Sequence, residues 1–455
     1  MTNRRQHAIV LGGSMAGLGA ARALVNHFER VTIIERDELD AATGIRKGVP
    51  QGQHAHGLLA SGYRILSSYF PGMMDELVAE GALTGDLTGD FLWYQYGGWK
   101  MRADCGLNGI VVSRPCLERK VRERVLALPK ITLLHGYDAE HPRYDPVGRR
   151  VTGLVTRNRS TDASLMLDAD LVVDALGRGS PSPGWLASWG YGPVAETNVQ
   201  IDVGYATAVF ERIPGDLYGS IGAIIAGTAP RSTRFGAVLG AEGSRWIITL
   251  VGCMRDYPPT ELAAWKEFAR SLPTPDVFEL TRDRESLLPP TSYRFPANRR
   301  RHYEMLREFP AGYLVTGDAV CSFNPIYGQG MSVALSDAAA LDQCLEADDG
   351  DLARRFFRDV GRIVASPWAI ATGEDYRYPQ VEGRRPPGFA FLSRYMERAY
   401  RAASSDPVVL KRFFEVASLL APPPAMLAPS VVWRVLRGGR QSAGEVHPSH
   451  KVAIA

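Results

Sequence analysis

Short runs that are apolar at every position recur along this chain, each followed by a glycine turn. Ala8-Ile9-Val10-Leu11 leads into Gly12-Gly13-Ser14-Met15-Ala16-Gly17, and Leu171-Val172-Val173 leads into Asp174-Ala175-Leu176-Gly177-Arg178-Gly179-Ser180. Tyr313-Leu314-Val315-Thr316 leads into Gly317-Asp318. Such runs read as strands buried on both faces, the pattern of a parallel sheet covered by helices. Arg30 to Ile34 and Ile131 to Leu134 predict two more strands. Helices are predicted over 59–70, over 113–126 with Ser113 as N-cap and Pro115 in the first turn, and from about Ser332.

From Val199 to Val251 the period shortens to two. Val199, Ile201, Val203 and Tyr205 alternate with polar or small residues, and Trp246 to Val251 adds a strand. This predicts an antiparallel sheet with one face available to cover something. Thr260 to Leu272 reads as an amphipathic helix. The aromatic stretch Phe91 to Lys100 fits strands of the same second sheet. Tyr96 and Lys100 have the spacing of a Tyr-x-x-x-Lys pair, but Gly97-Gly98 spoils the helix such a pair needs. Val151 to Val155 and Ser164 to Leu167 predict a small hairpin layer. Beyond Leu345 the chain reads as helical. The stretch Val416 to Leu436 is broken by Pro422, Pro423, Pro424 and Pro429. It predicts two short helices docked on the core, not a membrane span, and leaves open whether they touch a membrane surface. The fold class expected is α/β mixed with α+β: a Rossmann-like domain, an inserted antiparallel-sheet domain and a helical C-terminal region.

A chain of 455 residues has room for two or three domains. A net charge of +3 gives no reason to expect nucleic acid. Cys105, Cys116, Cys253, Cys321 and Cys344 are far apart and odd in number, which fits free thiols and a reducing, cytoplasmic location. The basic start Met1-Thr2-Asn3-Arg4-Arg5 precedes an apolar run only a strand long, so it does not read as a signal peptide. His54 and His56 have no third ligand at metal spacing and read as loop histidines; no metal is expected.

The chemistry lies in the turns. Gly12 allows a sharp bend, Ser14 takes the place of the second glycine of a G-x-G-x-x-G run, and Gly17 lets the helix press on the strand. The N–H groups there point at an anion such as a pyrophosphate. Glu35 ends the next strand, about 20 residues on, where a carboxylate takes ribose hydroxyls. Gly12, Gly13, Ser14, Met15, Ala16, Gly17, Glu35 and Arg36 are therefore candidate cofactor contacts. Three such turns suit an extended FAD. Asp318, beside Gly317, would accept from ribityl hydroxyls. The helix after Gly328 and Gly330, with Met331, would aim its positive end at the flavin pyrimidine. No His or Cys context demands a covalent link, so FAD is expected to bind non-covalently.

The first turn with Glu35, and Gly317-Asp318 with Pro325, Gly328 and Gly330, resemble the single-component FAD monooxygenases typified by para-hydroxybenzoate hydroxylase. The resemblance implies Arg46 and Arg114 on the pyrophosphate and ribityl side of FAD. It also implies NAD(P)H as a transient reductant and O2 delivered through a flavin C4a-hydroperoxide. No protein side chain is singled out as catalytic. The motif Asp174 to Ser180 departs from the Asp-Gly pair of the aromatic hydroxylases and is more similar to squalene epoxidase-like enzymes and the polyene epoxidases of polyether biosynthesis. Arg46 to His56 and Tyr293 to Arg299 also resemble the latter. The tryptophan motif of flavin halogenases is absent. Geranylgeranyl reductases share the fold, so an isoprenoid reductase is one alternative, an aromatic hydroxylase another, and an FAD-binding module without turnover a third.

On this resemblance, 1–90, 105–187 and 301–345 would build the FAD-binding domain. The segments 91–104 and 188–300 would build the substrate sheet, and 346–455 the helical region. Residues 199–251 contain no histidine, and Asp202, Glu211 and Glu242 lie at edges or turns. Activating a phenol usually needs a base. The expected substrate is therefore an apolar alkene of a polyketide or terpenoid, epoxidised in secondary metabolism. Candidates for its wall are Tyr94, Tyr96, Tyr205, Phe210, Phe323 and Pro325.

Overall fold

The computed structural model describes residues 5–39, 46, 48–347, 350–438 and 451–452. The N-terminal residues 1–4 and Lys47 of the polar loop lie outside the described residues, as do 439–450 and 453–455 of the C-terminal region.

Five parallel strands form the first sheet, in the order Tyr313–Val315, Leu171–Asp174, Arg5–Leu11, Phe28–Glu35, Ile131–His135. Arg5–Leu11 lies in the middle, and Ala8, Ile9, Val10 and Leu11 are wholly buried. The helices Met15–Leu24 and Gly330–Ala347 pack together on this sheet. The Rossmann-like core is thus drawn from three separate parts of the chain. Ser164–Asp168, Arg150–Asn158 and Tyr137–Asp145 form a small antiparallel layer, one strand more than the hairpin expected.

The second large sheet has eight strands. Its order is Cys321–Ser322, Leu288–Arg301, Glu196–Glu211, Arg245–Gly252, Arg234–Ala241, Gly222–Ala226, Phe91–Gln95, Gly98–Trp99. Every pair is antiparallel except Gly222–Ala226 with Phe91–Gln95, which run parallel. The edge strand Cys321–Ser322 comes directly after the Gly317 turn, so the two sheets are tied within a few residues.

Alternation gives this sheet two distinct faces. Ala206, Ala208, Phe210, Trp246, Ile248 and Leu250 point to one side, where Trp265 and Phe268 of the helix Leu262–Arg270 cover them. Val203, Tyr205 and Val251 point to the other, with Phe295 and Ile326. That second face meets the first sheet's loops. The C-terminal helices Phe389–Ala402, Pro407–Ala417 and Pro429–Gly438 pack around Val409, Phe414 and Val435, with a proline-rich turn at 423–427. Among the described residues no helix is long and apolar enough to cross a membrane.

Candidate functional site

The three glycine turns converge. Gly12 has φ +99°, and a Cβ there would stand 2.8 Å from the Ala175 carbonyl oxygen. Gly317 has φ +64°, and a Cβ there would stand 2.7 Å from the Ala16 Cβ. A side chain at either position would push apart two turns that the sequence separates by more than a hundred residues. Gly17 carries the helix against the turn itself, since a Cβ would meet the Gly12 carbonyl oxygen.

A dense ionic network surrounds the first turn. Glu35 accepts from the Gly13 N–H at 2.8 Å and pairs with Arg46. Arg46 also pairs with Glu118 and donates to the Gly13 carbonyl oxygen at 3.1 Å. Arg114 donates to Glu118 at 2.9 Å and to the Ser14 hydroxyl at 3.0 Å, and Ser14 donates to Glu118 at 2.7 Å. All four charged side chains are buried. Burial alone would raise the Glu118 carboxyl, but Arg114 and Arg46 hold it down at about 2. Arg46, Arg114 and Glu118 also line a narrow cleft with Val49 and Gln53. The structure thus brings Arg46 and Arg114 together beside the first glycine turn. Glu118, one helical turn after Arg114, was not foreseen; its i, i+4 spacing from Arg114 was the available signal. Arg36 is exposed at the rim, beside Asp37.

Asp318 lies deeper. Its side chain is open to solvent-sized space, yet it sits far enough inside the protein that loss of bulk water raises its carboxyl, with Arg114 and Arg178 pulling it back. A Cβ on Gly330 would lie 3.7 Å from the Asp318 Oδ1, so the helix Gly330–Ala347 starts beside this carboxyl, and Met331 is buried in its first turn. The turn is held from below by Asp337, which accepts from the Gly317 N–H at 3.1 Å and the Thr316 hydroxyl at 3.2 Å. Asp174, by contrast, is turned inward. It is buried and accepts from Leu176 N–H, Ser180 and Ser182, so it closes its own turn.

Where the loop 324–330 meets the sheet, a second polar cluster appears. Tyr205 donates to Asn324 Oδ1 at 3.2 Å. Asp375, at the end of the helix Leu352–Asp375, accepts from Asn298 at 2.7 Å and from Asn324 and Tyr327 at 3.1 Å each. Burial raises the Asp375 carboxyl to about 7, against the pull of those three donors. His54 packs on the same face of the sheet, 2.7 Å from Thr207 Oγ1, between Tyr205 and Tyr293. Gly57, three residues on, touches Gly328. Thus the loop that begins at Arg46 runs from the ionic network to the sheet junction.

The wall candidates divide. Tyr205 and Pro325 stand at the junction, and Phe323 is buried just before Asn324. Phe210 is five residues from Tyr205 on one strand, so it faces the opposite side, against Trp265. Tyr94 shares that far face and packs on Trp99. Tyr96 leaves the sheet at a turn, stacks on Tyr400 and donates to Glu374 at 2.7 Å. These three do not line the junction. Residues 199–251 themselves hold no histidine, as the sequence shows. His54 and Asp375 reach that sheet from outside it, a proximity no strand pattern reveals.

No protein-family model matches the chain. It is 32% identical over 436 residues to Protein Rv3254 of Mycobacterium tuberculosis, an alignment covering 92% of this chain and 90% of that protein. Among solved structures it is similar to the p-nitrophenol 4-monooxygenase PnpA of Pseudomonas putida DLL-E4. The TM-score is 0.63 at 16% identity, covering 91% of this chain and 99% of that one. It is also similar to PqsL of Pseudomonas aeruginosa, described as a probable FAD-dependent monooxygenase. There the TM-score is 0.58 at 17% identity, covering 82% of this chain and 97% of that one. The chain therefore belongs to the family of Protein Rv3254 and has the fold of the flavoprotein monooxygenases.

Proposed function

We propose that this protein is an FAD-dependent monooxygenase that uses NAD(P)H and O2 to place one oxygen atom on an electron-rich π system of a small organic substrate. One observation carries the reading. The glycine turns at Gly12 and Gly317 meet, and they lead from a buried arginine pair to Asp318 and a helix N-terminus at the foot of an aromatic sheet face. A dinucleotide fits such a path. The turn Gly12–Met15, with Arg46 and Arg114, would hold the pyrophosphate. Glu35 would hold the ribose, Asp318 the ribityl chain, and Gly328, Gly330 and Met331 the flavin end. Bound and reduced, FAD supplies the activation of O2. The protein's part is to hold negative charge at the helix start, to exclude water with Tyr205, Ile326 and Phe295, and to keep the substrate against the sheet.

Epoxidation of an apolar polyketide or terpenoid alkene is the finer reading, supported by the aliphatic part of this face, Val203 and Val251, and by the epoxidase-like motif at Asp174 to Ser180. Hydroxylation of a phenol is the second reading, favoured by Asp375, whose raised carboxyl stands beside the sheet.

The test begins with acid extraction of the purified protein, absorption spectroscopy and mass analysis of the released cofactor. FAD is expected in the supernatant, and a protein that takes up no FAD refutes the reading. NAD(P)H oxidation is then followed with and without O2 across alkenes and phenols under labelled oxygen. Substrate-dependent uptake of label supports a monooxygenase. Alkene reduction without O2 would instead identify a reductase.

A further inference from the structure

His54 is tied to the sheet by a chain of hydrogen bonds whose direction can be assigned. The Ala55 N–H donates to Thr249 Oγ1 at 2.8 Å, Thr249 Oγ1 lies 2.6 Å from Thr207 Oγ1, and Thr207 Oγ1 lies 2.7 Å from His54 Nδ1. A backbone N–H can only donate. Thr249 thus accepts from Ala55 and has its own proton left to give, and Thr207 Oγ1 is the acceptor within reach. Thr207 in turn gives its proton to His54 Nδ1. The opposite order would leave the Thr249 proton with no acceptor among the described residues. The ring proton of His54 therefore sits on Nε2.

This is not the arrangement of the neighbouring histidine. His56 Nδ1 lies 2.9 Å from the His54 carbonyl oxygen and must donate to it, so His56 carries its proton on the other nitrogen. Burial lowers both rings, His54 to about 4, so His54 is a neutral donor at physiological pH. Its Nε2 makes no hydrogen bond among the described residues. The rings of Tyr205 and Tyr293 flank it, with centroids 6.0 and 5.8 Å away, tilted by 43° and 44°. The two tyrosine rings also pack on each other, with centroids 6.2 Å apart, so the three rings form one triangular patch. An N–H fixed beside such a patch is a recognition element for a conjugated ligand that carries a hydrogen-bond acceptor.

We propose that His54 is a substrate-contacting hydrogen-bond donor, and that the substrate carries an sp2 acceptor oxygen, a ketone carbonyl or a phenolate, which the Nε2–H receives. The word substrate rests on the monooxygenase reading; the state of the ring does not. A hydrocarbon would cover this N–H and leave it unpaired, which disfavours its binding. The carbonyl oxygens of a polyketide and the oxygen of an ionised phenol both fit, so the donor constrains the binding group without choosing the site of oxygenation.

Two measurements on the full chain test this. The first is proton–nitrogen correlation NMR of the histidine rings, with and without FAD, from about pH 5 to 8. His54 is expected as the Nε2–H tautomer throughout, and Thr207→Val is expected to release that preference. A ring protonated on Nδ1 overturns the proposal. The second is binding of acetophenone and ethylbenzene, which differ at an acceptor oxygen, read from the flavin spectrum of the FAD-loaded protein. His54→Ala should weaken acetophenone at least about tenfold and ethylbenzene less than about twofold, with FAD affinity unchanged. His54→Gln, which keeps an N–H near the Nε2 position, should recover most of the loss. Equal losses for both probes, or no binding of acetophenone to the unsubstituted protein, overturn the proposal. A protein that takes up no FAD refutes the monooxygenase reading instead, and the tautomer then decides the case of His54 alone.

Discussion

Around the first glycine turn, Glu35 and Glu118 face Arg46 and Arg114. Around the sheet junction the polar groups are a neutral imidazole, hydroxyls, two asparagines and one carboxyl, Asp375, with no cation among its hydrogen-bond donors. Both regions are buried, yet they resolve the cost of burial in opposite ways. The first keeps full charges and pairs them, as suits a place for a pyrophosphate. The second surrounds its one carboxyl with neutral donors and raises it, as suits a place where a less polar molecule meets the protein. The two are joined by the loop from Arg46 to Gly57 and by Asp318, which feels Arg114 on one side and Arg178 on the other.

This contrast can be broken from either end. The largest effect is expected at Glu118. Glu118→Ala leaves Arg46 and Arg114 buried without their shared anion, a loss of about 3–5 kcal/mol. Urea unfolding measures it, and a change under about 1 kcal/mol would mean that water, not Glu118, balances the arginines. Next comes Asp318→Ala. Each charge-assisted bond to a ribityl hydroxyl is worth roughly 1.5–3 kcal/mol, so FAD affinity should fall at least about tenfold with the fold intact. A fluorescence titration showing unchanged affinity would remove Asp318 from the cofactor path.

The pH dependence sharpens the comparison, because the two regions carry opposite signs. Glu118 ionises at about 2 in the folded protein, below its ordinary 4.5. It therefore adds stability as pH rises through that interval, and the gain is lost again on acidification. Asp375 is raised from 3.8 to about 7, so the folded state holds a proton that the unfolded chain has released. Stability from this group falls as pH rises from about 4 to about 7. Asp337, also raised to about 7, acts in the same direction. Urea midpoints across this range should lose the acid-side rise in Glu118→Gln and show a flatter decline toward neutrality in Asp375→Asn. If both variants keep the parent profile, the two networks do not differ in charge. The smallest effect is expected for Tyr205→Phe, which removes one hydrogen bond to Asn324, roughly 0.5–1.5 kcal/mol, and should leave FAD affinity unchanged. A tenfold loss of FAD would place Tyr205 in the cofactor site.

Much of the first region was legible because its signals are local. Gly12, Gly17 and Glu35 are held to fixed spacings by one strand–turn–helix–strand unit, and Gly317-Asp318 follows its strand directly. The junction was read less well. Period two correctly predicts a sheet with a free face, but the wall candidates Tyr205 and Phe210 are five residues apart on one strand. An odd spacing on a strand sends the two rings to opposite sides. Tyr94 and Tyr96, wall candidates from the aromatic stretch 91–100, part company in the structure: one lies on the far face and the other in a turn. His54 looked like a loop histidine because nothing adjacent in sequence tells it apart. Its partner Thr207 is 153 residues away.

The sequence by itself determined the buried parallel strands and the glycine turns that follow them, because each depends on side-chain size and backbone freedom within a few residues. Only the tertiary structure decided which charges are paired and which are neutral. The environments of Glu118, Asp375 and His54 are made by side chains from distant segments. The cost of burying a charge depends on those neighbours and not on the residue itself.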